Sequence, residues 1–125
     1  MIVADTTVFV DFLRGHEAAV SLVGSTLLDG TPVGASVLTR MELLAGARDG
    51  ETETLAAFFE RIVWLPVSEE IADLAGGLAK SCARTRPGVG SVDYLIGATA
   101  LIFGGPLWTS NIRHFPFWPD LLPPY

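Results

Sequence analysis

Three carboxylates stand where a folded chain could use them for chemistry. Asp5 ends the apolar run MIVA and is followed by two threonines. Glu42 lies in LTRMELL, and Asp93 opens the almost wholly apolar SVDYLIGATALIF. Asp5 and Asp93 adjoin strongly apolar stretches, where an unpaired charge is costly. Three carboxylates in one crevice would repel one another, and some would hold protons unless a cation lay among them. Oxygen ligands without Cys or His partners suit Mg²⁺ or Mn²⁺ and not zinc. Each acid also has a structural role open to it. Asp5 can cap the helix behind it, Thr39 and Glu42 have capping-box spacing, and Asp93 can favour the positive end of its helix.

The elements that must position these acids alternate between short apolar runs and helical spacing. That alternation predicts an α/β fold with a short, mainly parallel sheet flanked by helices. A first strand covers Ile2 to Ala4, and a short helix continues through Phe12. EAAVSLVGSTLLDG spaces its apolar residues as a surface helix does. TPVGAS is a second strand, LTRMELLAGAR and LAAFFERI are helices, and WLPV is a third strand. SEEIADLAGGLAKSCAR is a helix with Ser68 as N-cap and acids in its first turn. SVDYLIGATALIF is a central, buried helix. PLWTS is a fourth strand, and the tail FPFWPDLLPPY holds too much proline to be regular. Glu42 is then expected in the first turn after strand two and Asp93 in the first turn of the buried helix. In doubly wound sheets the carboxyl ends of the strands gather around one crevice, where acids distant in sequence meet.

The chain has 125 residues, half of them hydrophobic, enough for one domain with its own core. No basic region precedes an apolar leader, and the longest apolar stretch breaks at Gly104, Gly105 and Pro106, short of a membrane span. The single cysteine, Cys82, allows no internal disulfide. A soluble cytoplasmic protein is expected. Its net charge of −6 argues against holding nucleic acid by charge alone. Lys80, Arg84 and Arg86 form the one tight basic cluster, either a phosphate-holding patch or a solvated helix end. No serine sits in G-x-S-x-G, and Gly88 and Gly90 fit neither a P-loop nor a dinucleotide fingerprint. Asp11 reads as a helix-surface residue and His16 as a loop residue.

V-A-D-T-T at the start, S-V-L-T-R-M-E-L at 36–43, V-D-Y-L-I-G-A-T-A at 92–100 and W-T-S-N-I-R-H-F at 108–115 resemble the PIN-domain nucleases. Within that group the short length resembles the VapC toxins of VapBC toxin–antitoxin pairs. The resemblance spans nearly the whole chain, in the family's order. It implies one PIN-like domain over residues 1–125, with an irregular C-terminal tail at 115–125. It implies a Mg²⁺-dependent endoribonuclease, with Mn²⁺ as a substitute, that leaves a 5′-phosphate and a 3′-hydroxyl. A small VapB-type antitoxin would hold it inactive. By position the family's catalytic and metal-binding acids fall on Asp5, Glu42 and Asp93. Thr6 matches the hydroxyl residue after the first acid, and Thr109 and Asn111 the polar pair after strand four. The fourth acid of many members falls on His114, a departure that bears on a second metal and not on the first. Because Phe115-Pro116 leads the chain out of the sheet, His114 is expected to point away from the site.

Two other readings use the same residues. A receiver-type phosphorylation switch would want an acidic pair after strand one, an acceptor Asp after strand three and a lysine near the last strand. The sequence has one acid, Pro66-Val67-Ser68 and the helical Lys80 there. A catalytically inactive PIN fold would serve only as a binding partner, against which the three intact acids stand. The apolar helices and the aromatics Phe115, Phe117 and Trp118 are expected either to meet an antitoxin or a second copy in a homodimer, or to fold back on the core.

Overall fold

The computed structural model describes residues 1–125. In chain order it contains β1 (Ile2–Ala4), α1 (Thr6–Leu13), α2 (Glu17–Leu28), β2 (Val33–Ser36), α3 (Val37–Ala45), α4 (Thr52–Phe59), β3 (Val63–Leu65), α5 (Glu69–Cys82), α6 (Ser91–Phe103), β4 (Leu107–Trp108) and a 3-10 turn (Ile112–His114). The four strands form one parallel sheet in the order β3-β2-β1-β4. The chain builds outward from β1 through β2 to β3, then returns to β1's other edge, so the order reverses at β1 and β4. That reversal is where such a sheet opens a crevice beyond its carboxyl edge.

Strand alternation divides the core. Ala4, Val33 and Ala35 face α1, α3 and α4, meeting Phe9, Leu43, Leu55, Phe58 and Phe59. Val3, Leu65 and Leu107 face the other way, onto Ile96 and Ala100 of α6. α5 covers α6 through Ile71, Ala75, Tyr94 and Ala98. With α5 on one side and the sheet on the other, α6 is the most buried helix, as its composition predicts. No helix is long and apolar enough to cross a membrane.

Several expectations change in detail. The N-cap of α3 is Ser36, whose hydroxyl accepts from Leu38 N at 3.1 Å, so Thr39 and Glu42 form no capping box. The helix starts at the strand's last residue with no intervening loop, which moves Glu42 from the first turn to the second. His16 lies in the short loop between α1 and α2, as expected, and has a further role there. It caps α2, with Nδ1 accepting from Ala19 N at 3.4 Å. The fourth strand keeps only Leu107 and Trp108, because the hydroxyl of Thr109 and the amides beyond it bond to the site instead.

Residues 115–125 hold neither helix nor strand, as their prolines predict. The tail aromatics fold back onto this chain. Phe115 is 1% exposed, and Phe117 and Trp118 pack against the same α6-side cluster. Gly97 makes room for them, since a Cβ there would lie 2.3 Å from two ring carbons of Phe117. Phe117 in turn stacks on Tyr94, centroids 5.6 Å apart, and the buried Tyr94 hydroxyl has no hydrogen-bond partner.

Gly97→Ala is therefore expected to cost about 1–3 kcal/mol through overpacking. Tyr94→Phe should instead stabilise by about 1 kcal/mol, because it removes an unsatisfied buried hydroxyl. Paired chemical-denaturation curves check both signs; a stabilised Gly97→Ala or a clearly destabilised Tyr94→Phe would contradict this packing.

Candidate active site

Asp5 leaves β1 at the sheet's carboxyl edge. Its amide donates to Trp108 O at 2.8 Å, tying the residue to the neighbouring strand just where the order reverses. The residue is 4% exposed, and both of its carboxylate oxygens accept hydrogen bonds. Oδ1 accepts from Thr6 N at 2.8 Å, the N-terminal capping contact of α1. Oδ2 accepts from Thr109 Oγ1 at 2.8 Å and Thr7 Oγ1 at 3.0 Å. Those hydroxyls are themselves held: Thr109 Oγ1 accepts from Asn111 N at 3.0 Å, and Thr7 Oγ1 from Ser110 N at 3.1 Å. Burial pushes the Asp5 carboxyl above its ordinary range and the nearby charge of Asp93 adds to this, while the three hydrogen bonds pull the other way. Capping and chemistry are thus not alternatives here; one carboxylate does the first and is placed for the second.

Glu42, two turns into α3, reaches back across the sheet's edge. Thr6 Oγ1 donates to its Oε1 at 2.6 Å and lies 3.0 Å from Thr39 Oγ1. A hydroxyl has one proton, so the buried Thr39 supplies the hydrogen of that second contact. Asp93 is in the first turn of α6, as expected. Its Oδ2 accepts from Gly90 N at 3.3 Å and lies 3.1 Å from His114 Nδ1. His114 does not point away. The 3-10 turn brings the chain back after β4, and burial of Phe115 fixes it so that the imidazole faces the crevice.

Asp5, Glu42, Asp93, Thr6, Asn111 and His114 all line one open cleft of about 480 Å³. Thr109 lies beneath it, 0% exposed, under the Asp5 carboxylate. Lys80, Arg84 and Arg86 do not line the cleft; Lys80 lies in the last turn of α5, and the two arginines lie in the turn that leads to Gly90 and α6. Residues that sequence reading passed over also belong here. Thr7 is the second hydroxyl on Asp5, and the second threonine of A-D-T-T was its only signal. Asp11 is on the cleft wall, not an idle surface acid, and accepts a hydrogen bond from the Tyr125 hydroxyl. Burial and the Asp11 carboxylate raise the Tyr125 phenol far above its usual range. Nothing local signals that contact, which joins residues 114 positions apart.

The donor set suits a hard divalent cation: carboxylate oxygens, no thiolate, and a desolvated Asp5 with no cationic partner. The carboxylates do not converge on one point, and no three Asp, Glu, His or Cys side chains form a ready coordination centre. Like charges repel, and each carboxylate is drawn to its own hydroxyl or amide donors. Each keeps acceptor capacity all the same. Glu42 Oε2 and Asp93 Oδ1 carry no hydrogen bond, and Asp5 Oδ1 carries one.

A parallel sheet in this order, with three acids from separate elements around the reversal point, defines a PIN domain, and this chain belongs to the PIN-domain family, matched over residues 2–116. Within the family it is similar to Ribonuclease VapC19 of Mycobacterium tuberculosis, 48% identical over 121 residues and 97% of each chain. It is 35% identical to Ribonuclease VapC10 of the same species, over all of this chain and 93% of that one. In structure it is similar to VapBC2 from Rickettsia felis bound to a promoter DNA fragment, with a TM-score of 0.80 at 22% identity, covering 98% of this chain and 96% of that chain. The last is a likeness of fold.

The raised Asp5 carboxyl has a consequence for stability. The folded chain binds this proton more tightly than the unfolded chain, so between the ordinary 3.8 and the raised value stability falls as pH rises. Asp5→Asn removes the buried charge. In metal-free buffer it should melt above the native chain at pH 7, and the gap should shrink as pH falls toward 4. Melts across that range check the sign; a variant that melts lower at pH 7 would mean that the hydrogen bonds outweigh burial.

Proposed function

We propose that this chain is a toxin endoribonuclease that uses a divalent cation, Mg²⁺ with Mn²⁺ as substitute, and that a small VapB-type antitoxin neutralises it. One observation carries the reading: carboxylates from β1's end, α3 and α6 line a single cleft with no Lys or Arg among its walls. Such a cleft repels phosphate unless a cation intervenes. The relatives' names, Ribonuclease VapC19 and VapC10, support RNA as substrate, and structural neighbours described as VapBC complexes support the partner.

Asp5, Glu42 and Asp93 would hold the cation. When bound, it polarises the scissile phosphate and lowers the pKa of an attacking water. Asp5 is poorly suited to take that water's proton, because it is buried and Oδ2 already accepts two hydroxyls. Asp93, with its side chain 21% exposed, is the better placed of the two to pass that proton on to solvent. The water oxygen bonds to phosphorus in line as the bond to O3′ breaks, and the departing O3′ takes a proton from solvent to replace the one the attacking water gave up, leaving a 3′-hydroxyl and a 5′-phosphate. Thr6 orients Glu42, and Thr7 and Thr109 orient Asp5. Lys80, Arg84 and Arg86 would hold RNA leading away from α6.

An antitoxin Arg or Lys entering the cleft would answer the same negative charge. Its apolar part would cover the α3 surface, where Met41 is 52% and Leu44 55% exposed, beside a groove shared with α4. Pairing of two copies belongs to this proposal as well, and light scattering of the purified chain reads it directly.

Asp5→Asn, Glu42→Gln and Asp93→Asn should each lower metal-dependent RNA cleavage by about a hundredfold or more while the fold persists. Cleavage assays with Mg²⁺, Mn²⁺ and chelator, alongside circular dichroism, test this. If Glu42→Gln cuts at the native rate, Glu42 serves only as the partner of Thr6. A native chain that never cuts RNA yet binds the antitoxin would make it an inactive scaffold.

A further inference from the structure

We infer that His114 is a positioning residue for Asp93: together with the Gly90 amide it occupies Oδ2 and leaves Oδ1 as the oxygen presented to the cleft. This rests on the metal-dependent reading above and adds the residue that organises one of its three ligands.

Both donors meet the same oxygen. Gly90 N lies 3.3 Å and His114 Nδ1 3.1 Å from Asp93 Oδ2. A carboxylate oxygen offers about two lone-pair positions, so two donors fill Oδ2. The rotation that lets both bonds form also sets where Oδ1 points. An ionised carboxylate only accepts, so the shared hydrogen is on His114 Nδ1. That is true of the neutral Nδ1–H tautomer and of the imidazolium alike, and the contact therefore does not depend on the charge of the ring.

The imidazole is held by more than this bond. His114 closes the 3-10 turn, its amide donating to Asn111 O at 3.0 Å, and the next residue, Phe115, is 1% exposed in the α6-side core. The backbone on both sides is thus fixed, while the ring itself remains partly exposed at the cleft wall. Glu42 follows the same scheme, with Oε1 tethered by Thr6 and Oε2 without a bond. The imidazole at position 114 thus acts through a neighbouring carboxylate and is not itself a ligand. Outer partners of metal-binding carboxylates commonly govern affinity and activity by about 10- to 100-fold.

The test uses the full chain with His114→Ala and His114→Asn. The asparagine amide can put an N–H close to where Nδ1 lies; alanine cannot. Without metal, nitrogen-15 NMR at a pH where the ring is neutral should show the Nδ1–H tautomer in the native chain. Asp93→Ala should return the ring to the Nε2–H form that free histidine prefers. Calorimetric Mn²⁺ titration should weaken about tenfold in His114→Ala and stay within about threefold in His114→Asn. For RNA cleavage, kcat should fall in His114→Ala with KM unchanged, and His114→Asn should recover most of it. A native Nε2–H ring, or a His114→Ala chain that binds Mn²⁺ and cuts RNA as the active native chain does, overturns the inference alone. A native chain that neither binds Mn²⁺ nor cuts RNA overturns the metal-dependent reading, and the inference with it.

Discussion

Asp5 is 4% exposed at the end of the strand that joins the two halves of the sheet, and its charge is met by one amide and two hydroxyls, with no cation opposite. Everything near it follows from satisfying that carboxylate. Thr6 and Thr7 begin α1 where they do because Asp5 caps the helix. The chain leaves β4 after two residues because Thr109 must turn toward Oδ2, and the amides of Ser110 and Asn111 must turn toward the threonines that serve Asp5. A buried, hydrogen-bonded network of this kind tolerates little movement, because each lost contact strands a polar group. The same desolvation that raises the Asp5 pKa keeps the apo fold in tension with its own charge.

The cleft concentrates negative potential. Asp5, Asp11, Glu42 and Asp93 contribute to its walls, and the only side chain there that can carry positive charge is His114. With a net charge of −6 the whole molecule repels polyanions at long range. Any polyanion that approaches the cleft must therefore work against the protein's overall field. The nearest basic cluster, Lys80 with Arg84 and Arg86, lies along the approach to α6 and not inside the cleft. That division separates the chain's tight basic cluster from its acidic cleft.

The opposite side of the sheet supplies the rigidity. α6 carries Asp93 in its first turn and a buried, small-residue middle that admits the tail. Gly97 lets Phe117 approach the helix axis, and Phe115 fills the core below. The tail then continues to Tyr125, whose hydroxyl meets Asp11 on α1. A segment with no regular structure of its own is thus held at both ends by side chains, and it joins the α6 layer to the cleft's far wall.

Sequence alone determined the fold class, the number of strands and the buried character of α6, and it singled out the three acids that line the cleft. Those features rest on local information: apolar periodicity, proline and glycine punctuation, and acids beside apolar runs. It also determined that residues 115–125 would be irregular, because proline removes amide donors. Only the tertiary structure decided which alternatives won. Ser36 took the cap that Thr39 had the spacing for, since strand and helix meet without a loop. His114 turned into the cleft and the tail aromatics folded inward, because buried Phe115 fixed the turn between them. Asp11, on the cleft wall, gained a partner more than a hundred positions away. Such contacts have no signature in local spacing; they exist only once packing has brought distant side chains within hydrogen-bonding reach.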